Sequence, residues 1–194
     1  FLRGVRGARS SLRTQRYQSY LRSQLFLVAT LRYADGMTRS DTPPRWLTAA
    51  EQEAWRTFVF TRNDLDLVLS ADLAPYGLTT GDYEVLVWLS EAEESRMRMC
   101  DLAEALQLSP SGLTRRLDGM VKAGLVERAS CASDRRVMWA VLTPAGWDKM
   151  RDAAPAHVAG VRRHILDPLG PEGVRQLGEL FGRIRQHLHN TKDS

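Results

Sequence analysis

The residues whose types and spacing best suit chemistry lie in one stretch, from Ser109 to Arg116. A serine followed by Pro110 is typical of a helix N-cap and first helical position. Short side chains on the leading face of such a helix let its backbone approach DNA base edges, while arginines reach guanine or phosphate. The residues suited to these contacts are Ser109, Ser111, Gly112, Thr114, Arg115 and Arg116.

The two adjacent arginines of this stretch should have different tasks. Neighbouring side chains point about 100° apart on a helix, so we expect at most one to contact bases and the other to contact phosphate. Leu113 and Leu117 are spaced four apart and should face the core instead. The sequence has no Gly-rich phosphate loop, zinc-protease motif or nucleophile elbow. We therefore predict a binding protein with no cofactor, not an enzyme.

The distribution of charge indicates that the partner binds near this segment. The chain has 194 residues and a formal net charge of +4. Residues 96–136 carry eight basic against five acidic side chains, whereas residues 47–95 carry two against ten. DNA would repel the acidic part and attract the basic one. The two cysteines exclude a disulfide scaffold and fit a reducing cytoplasm, and no apolar run is long enough to span a membrane.

Cap signals and apolar spacing define the elements that must position this segment. We expect helices from Thr48 to Leu73, from Thr79 to about Glu91, from Met99 to Gln107 and from Ser109 to Lys122, then strands at 125–128 and 137–142. Residues 91–95 should form a polar loop. A helix should follow from Thr143, interrupted or kinked at Pro155 and broken at 168–171. The last helix should carry residues 174–188.

This order of elements is the pattern of a winged helix-turn-helix. Residues 48–190 resemble the MarR family of bacterial transcription regulators. The segments that carry the resemblance are LTTGDYEVLVWL (78–89), MCDLAEALQLSPSGLTRRLDGMVKAGLVER (99–128) and SDRRVMWAVLTPAG (133–146).

The resemblance implies a mainly α fold with an α/β wing. Residues 47–190 would form the domain, with a DNA-binding lobe at about 78–143 and dimerisation helices at 48–73 and 144–190. It implies a cytoplasmic homodimer that binds an inverted-repeat operator in double-stranded DNA, more often as a repressor than as an activator. Asp134, Arg135 and Arg136 match the family's wing tip, where one arginine enters the minor groove.

The resemblance also implies a small aromatic or anionic effector. Aromatic residues fall in segments that border the family's cleft between the dimerisation and DNA-binding lobes. The candidate ligand residues are Trp55, Arg62, Tyr83 and Trp88. The alternative for any one of these aromatics is packing in the core or the dimer interface.

Two alternative functions stay open at this point. In the first, Cys100 or Cys131 serves a thiol- or metal-responsive sensor regulator. The family's oxidant-sensing cysteines lie in the first helix, which has none here. The segment MCDLAEAL also resembles the metal-binding helix of the ArsR family, but Arg98 stands where its second cysteine would be. We therefore expect Cys100 to be a small buried hydrophobe. The second alternative is a helical interaction module that does not bind DNA.

Residues 1–46 are predicted to be an N-terminal extension outside the domain. The first residue is Phe1, and the first 36 residues hold seven arginines and one acid. Translated upstream or otherwise non-native sequence is the interpretation that we favour. A transit peptide and a genuine extra helix are the two alternatives.

Overall fold

A computed structural model describes residues 45–130 and 137–191 of the chain. The elements below belong to one compact unit that begins at Thr48. Several predictions therefore lie outside the described residues. They concern nearly all of the N-terminal extension, Cys131, and the wing residues Asp134, Arg135 and Arg136.

Helices dominate the described residues. In chain order the elements are α1 (Ala49–Leu73), α2 (Thr80–Glu91), β1 (Arg96–Arg98), α3 (Met99–Ala105), α4 (Pro110–Lys122), β2 (Val126–Ser130), β3 (Met138–Leu142), α5 (Pro144–Val161) and α6 (Asp167–Asn190). A π-helical turn, Arg162–Leu166, joins α5 to α6. This order confirms the predicted fold class, a mainly α winged helix-turn-helix.

The first two helices begin at reciprocal capping boxes. The Thr48 hydroxyl accepts a hydrogen bond from the Glu51 N–H at 3.3 Å, and the Glu51 carboxylate accepts one from the Thr48 N–H at 2.7 Å. Hydrogen bonds to this carboxylate from the Thr48 N–H and the Thr48 side chain lower the pKa of Glu51. Thr79 and Asp82 form the same pair at the start of α2, as the sequence predicts. Each cap satisfies helix N–H groups that would otherwise lack partners.

Helices α4 and α5 begin with a hydroxyl cap followed by proline, as predicted. The Ser109 hydroxyl accepts from the Gly112 N–H at 3.1 Å. The Thr143 hydroxyl accepts from the Gly146 N–H at 3.0 Å, and donates to the Gly124 carbonyl at 2.7 Å. Thr143 therefore ties the start of α5 to the end of α4.

The core lies where α2, α3 and α4 pack against the small sheet. Its fully buried side chains come from each of these elements and include Leu86, Leu89, Leu102 and Val126. Leu113 and Leu117 on α4 are 1% and 0% exposed, which confirms their predicted core positions. Burial of each such side chain stabilises the fold by about 1.5–3 kcal/mol, so α4 is held by its apolar face.

The sheet has three antiparallel strands in the order β1-β3-β2. Strand β3 pairs with β2 from Val126↔Leu142 to Ser130↔Met138, which confirms the predicted hairpin. It also pairs with β1, where Arg98 lies opposite Trp139. Sequence reasoning missed β1, because three residues carry almost no alternation signal and their partner strand lies far along the chain.

Helix α5 continues through Pro155, so the predicted interruption is wrong, while a kink stays a prediction. The sequence predicted an interruption or kink there, whereas α5 runs without a break from Pro144 to Val161. Pro155 is exposed, so its missing N–H costs one hydrogen bond at the surface, while the buried Ala153 and Gly160 hold the helix in place. A break follows at Gly170, which has φ 62° and ψ 176°, within the predicted interval. In the described residues, no helix is long and apolar enough to cross a membrane.

Candidate nucleic-acid interface and cavity

The outer side of α4 presents a polar surface that we call the reading face, formed by Ser109, Ser111, Thr114 and Arg115. All four of these residues are exposed. The Ser109 and Ser111 hydroxyls lie 3.2 Å apart, and the Thr114 hydroxyl donates to the Pro110 carbonyl at 2.9 Å. These bonds fix the short side chains close to the helix backbone, so the helix can approach a flat or grooved partner closely.

Arg116 has a different environment from its neighbour. It is half-buried, and its guanidinium lies against Gly81 at the start of α2. A Cβ added to Gly81 would lie only 1.1 Å from Arg116 Nη1, so the absence of a side chain at Gly81 makes room for this arginine. The structure thus turns Arg116 toward α2 and leaves Arg115 on the reading face. A role of Arg116 in DNA contact stays a prediction.

Arg128 joins the wing to α4, and sequence reasoning did not single it out. Its Nη2 atom donates to the Thr114 carbonyl at 2.9 Å and to Asp118 Oδ1 at 2.8 Å. The wing is the β2–β3 hairpin, and we call its two described strands the stem of the wing. Arg128 belongs to β2, so one side chain fixes this stem to α4. No local pattern in the sequence signals this contact, because its partners lie 10 and 14 residues away.

A surface hollow of about 500 Å³ lies beside the reading face, and we call it the stem hollow. Its lining includes Arg98, Cys100, Thr114, Arg128 and Met138, so it separates the β1–α3 junction and α4 from the stem of the wing. The guanidinium carbons of Arg96 and Arg98 lie 4.9 and 5.7 Å from the ring centre of Trp139. Aromatic contact of this kind orients an arginine without neutralising its charge.

The prediction that Cys100 is buried is wrong. Cys100 is exposed and lines the stem hollow. Helix α3 buries Leu102 and Ala103, and Cys100 lies about 160° and about 60° from them around the helix, at the edge of the buried side. The thiol donates to Asp101 Oδ1 at 3.2 Å.

A second space, the interlobe cavity, lies between α1, α2 and α5 and has a volume of about 270 Å³. It contains two of the four candidate ligand residues, Tyr83 and Trp88. Trp55 and Arg62 are not in its lining. Trp55 is exposed with its ring 5.7 Å from Phe58, and Arg62 is exposed on α1.

The polar groups of the interlobe cavity are acidic or neutral. Asp66 Oδ1 accepts from the Thr80 hydroxyl at 2.7 Å, and Glu84 is exposed at the lining. The His157 ring lies 4.5 Å from the Tyr83 ring, and no described group hydrogen-bonds its buried Nδ1 atom. Burial lowers the pKa of His157, so the imidazole is neutral at pH 7. Sequence reasoning named none of Asp66, Glu84 or His157 for this site.

Metal ligation is the other chemistry that this region could suggest. His164 Nε2 lies 3.5 Å from Asp72 Oδ2. In residues 45–130 and 137–191, however, no three His, Cys, Asp or Glu side chains are grouped as metal ligands. A structural metal site needs about four such ligands, so this pair acts as a polar contact between α1 and the π-helical turn.

A winged helix-turn-helix with an exposed, polar second helix is the architecture of many DNA-binding proteins. The sequence model of the MarR family matches residues 76–137. The chain is 49% identical to AbsC, a MarR family transcriptional regulator of Streptomyces coelicolor, and covers 99% of that chain and 76% of its own, with a TM-score of 0.71. The chain belongs to the MarR family of transcriptional regulators, as its motifs predict. Its relatives are regulators, not enzymes.

Two further relatives bear on the interface. Sco3205, a MarR family regulator of the same organism solved in complex with DNA, is 36% identical; the match covers 75% of this chain and 92% of that one, with a TM-score of 0.71. The HTH-type transcriptional repressor YetL of Bacillus subtilis (strain 168) is 28% identical over 120 residues, which are 60% of this chain and 72% of YetL.

Proposed function

We propose that this regulator is a ligand-responsive repressor that binds an inverted-repeat operator as a homodimer. The observation that carries the proposal is the reading face. Leu113 and Leu117 anchor α4 in the core, while Ser111, Thr114 and Arg115 remain exposed on its outer side. The similarity to Sco3205, which was solved with DNA, and to a named repressor supports it.

The homodimer is supported by an apolar stripe on α6. Leu180, Ile184 and Leu188 are 54–56% exposed, and their spacing of four places them on one side of the helix. A protein that works alone rarely exposes such a stripe, because the apolar surface gains free energy when covered. The Phe181 ring lies 5.7 Å from Phe58 of α1. We therefore propose that a second copy of the chain covers α6 and the neighbouring part of α1.

A dimer of this kind fixes the form of the operator. Two reading faces related by a two-fold axis enter successive major grooves, so the half-sites should be inverted and about one helical turn apart. Selection of bound sequences from a random duplex pool with the full-length protein tests this directly. Enrichment of an inverted repeat would support the proposal. Enrichment of single half-sites, or of no sequence, would contradict it.

The two kinds of DNA contact should respond differently to substitution. Replacement of wing residue Arg136 or Arg135 with Ala should weaken binding to all sequences and lower the salt dependence by about one counterion per lost contact. Thr114→Ala or Ser111→Ala should alter sequence preference more than salt dependence. Fluorescence anisotropy with the selected operator, across a salt series and against single-base variants, separates the two classes. Identical behaviour of both classes would show that α4 is not the reading helix.

We propose that the effector binds in the interlobe cavity and is an aromatic cation. Tyr83 and Trp88 offer aromatic surface, and the nearby carboxylates of Asp66 and Glu84 attract positive charge. His157 is neutral there, so the described lining residues include no cation that would hold an anion. The effector would shift the population toward a state with a different spacing of the two reading faces, and so release DNA.

The charge preference of the cavity can be measured with three matched probes. Phenethylammonium should bind more tightly than phenethyl alcohol, and phenylacetate should bind least, because the lining is acidic. Glu84→Gln should weaken phenethylammonium binding about fivefold, the size expected for an exposed ion pair. Glu91→Gln, at the far end of α2, is the matched control. Calorimetric titration gives the affinities, and tighter binding of phenylacetate would contradict the proposal.

A further inference from the structure

The stem hollow lies in the path that a DNA strand must take. Thr114 of the reading face belongs to one wall, and Val137 and Met138, at the start of β3, belong to another. A helix in the major groove and a wing in the adjacent minor groove are separated by one sugar–phosphate strand. That strand must therefore cross the region between α4 and the wing, where the hollow opens.

The described lining of the stem hollow is positively charged. It contains two arginines and no acidic residue. Arg128 already donates to Asp118 and to the Thr114 carbonyl, so its guanidinium is largely engaged. Arg98 is exposed and forms no ion pair with any described residue. Its charge is therefore available to an external anion.

The position of Arg98 is fixed by its strand. Arg98 lies opposite Trp139 in the β1–β3 register, and its guanidinium carbon is 5.7 Å from the Trp139 ring centre. Neighbouring Arg96 is also held on this ring and pairs with Glu94. A guanidinium held in this way loses less conformational entropy on binding than one on a loop. These features suit a phosphate contact more than a solvated surface charge.

We propose that Arg98 binds a phosphate of the strand that crosses the stem hollow, as a third DNA contact beside the reading face and the wing. This inference rests on the proposed placement of α4 in the major groove. The contact carries no sequence information, because it reaches only the backbone. It fixes the register of the protein on the duplex.

The first test is the salt dependence of DNA binding by full-length Arg98→Ala. Each phosphate contact contributes about 0.9 to the slope of log K against log salt, and a dimer has two copies. The slope should therefore fall by about two, with affinity at least tenfold lower at moderate salt. Arg98→Lys should restore most of the slope, because it retains the charge. Arg151→Ala on the exposed side of α5 is the control and should behave as wild type.

The second test uses Cys100 as a reporter in the same hollow, in a Cys131→Ser background. Duplex DNA should slow alkylation of Cys100 by N-ethylmaleimide about tenfold, whereas millimolar inorganic phosphate should not. An unchanged slope for Arg98→Ala, or full reactivity of Cys100 on saturated DNA, would overturn the inference. If the wild type still binds its operator, either result leaves the proposed function intact. Failure of the wild type to bind DNA would contradict both.

Discussion

Ile184→Asp is expected to convert the protein to monomers and to abolish operator binding at concentrations where the wild type is bound. Ile184 lies in the middle of the exposed stripe on α6. A carboxylate at that position would be buried twice in a two-fold interface, at a cost of several kcal/mol for each copy. Such a cost raises the dimer dissociation constant at least a thousandfold.

Sedimentation equilibrium measures the loss of the dimer, and anisotropy with the operator measures the consequence for DNA. A monomer retains one reading face, so it loses the advantage of two linked sites and keeps only weak, salt-sensitive binding. Gln186→Asp introduces the same charge on nearly the opposite side of α6 and should remain dimeric. If Ile184→Asp also remained dimeric, the interface would have to lie elsewhere.

Gly146→Ala should strongly destabilise the fold, by about 3 kcal/mol or more. Gly146 is buried in the first turn of α5, and a Cβ there would lie 2.1 Å from the Leu125 carbonyl oxygen and 2.7 Å from Leu142 Cδ1. The nearest clash is with backbone, which cannot move aside as a flexible side chain can. Helix α5 would have to shift away from the carbonyls of Gly124 and Leu125, to which the Thr143 hydroxyl donates.

Urea unfolding of the dimer, at one fixed protein concentration, measures this effect. Gly119→Ala is the matched control, because Gly119 lies in α4 with no atom within 4 Å of an added Cβ. It should stabilise the protein by about 0.5–1 kcal/mol, since alanine favours helix and restricts the unfolded chain. Equal stability of Gly146→Ala and wild type would mean that α5 does not rest on the Leu125 carbonyl.

The helices were predictable because their signals are local. A helix start is indicated within three residues by each of three pairs, Thr48 with Glu51, Ser109 with Pro110, and Thr143 with Pro144. The core face of α4 follows from the spacing of Leu113 and Leu117 in the same way. These features need no knowledge of the rest of the chain.

The features that the sequence did not predict depend on distant partners. Strand β1 forms because β3 provides its hydrogen-bonding partner. Three residues are too few to show an alternation of apolar and polar side chains. The exposure of Cys100 depends on which side of a seven-residue helix meets the core. Arg128 and Arg116 are engaged with residues on other elements. Sequence reasoning placed the residue types suited to DNA on α4, but it could not show that Arg116 turns toward Gly81 while Arg115 remains exposed.

The contact of Arg116 with Gly81 bears on any attempt to build a biosensor from this regulator. The turn that contains Gly81 also supplies Thr80, Tyr83 and Glu84 to the interlobe cavity. Substitutions in this turn that accept a new compound would also alter the packing of Arg116, and therefore the position of α4. Substitutions there could therefore not change ligand specificity without also changing DNA binding. Leu69 of α1 is a better first position to diversify, because it shapes the same cavity from the opposite wall.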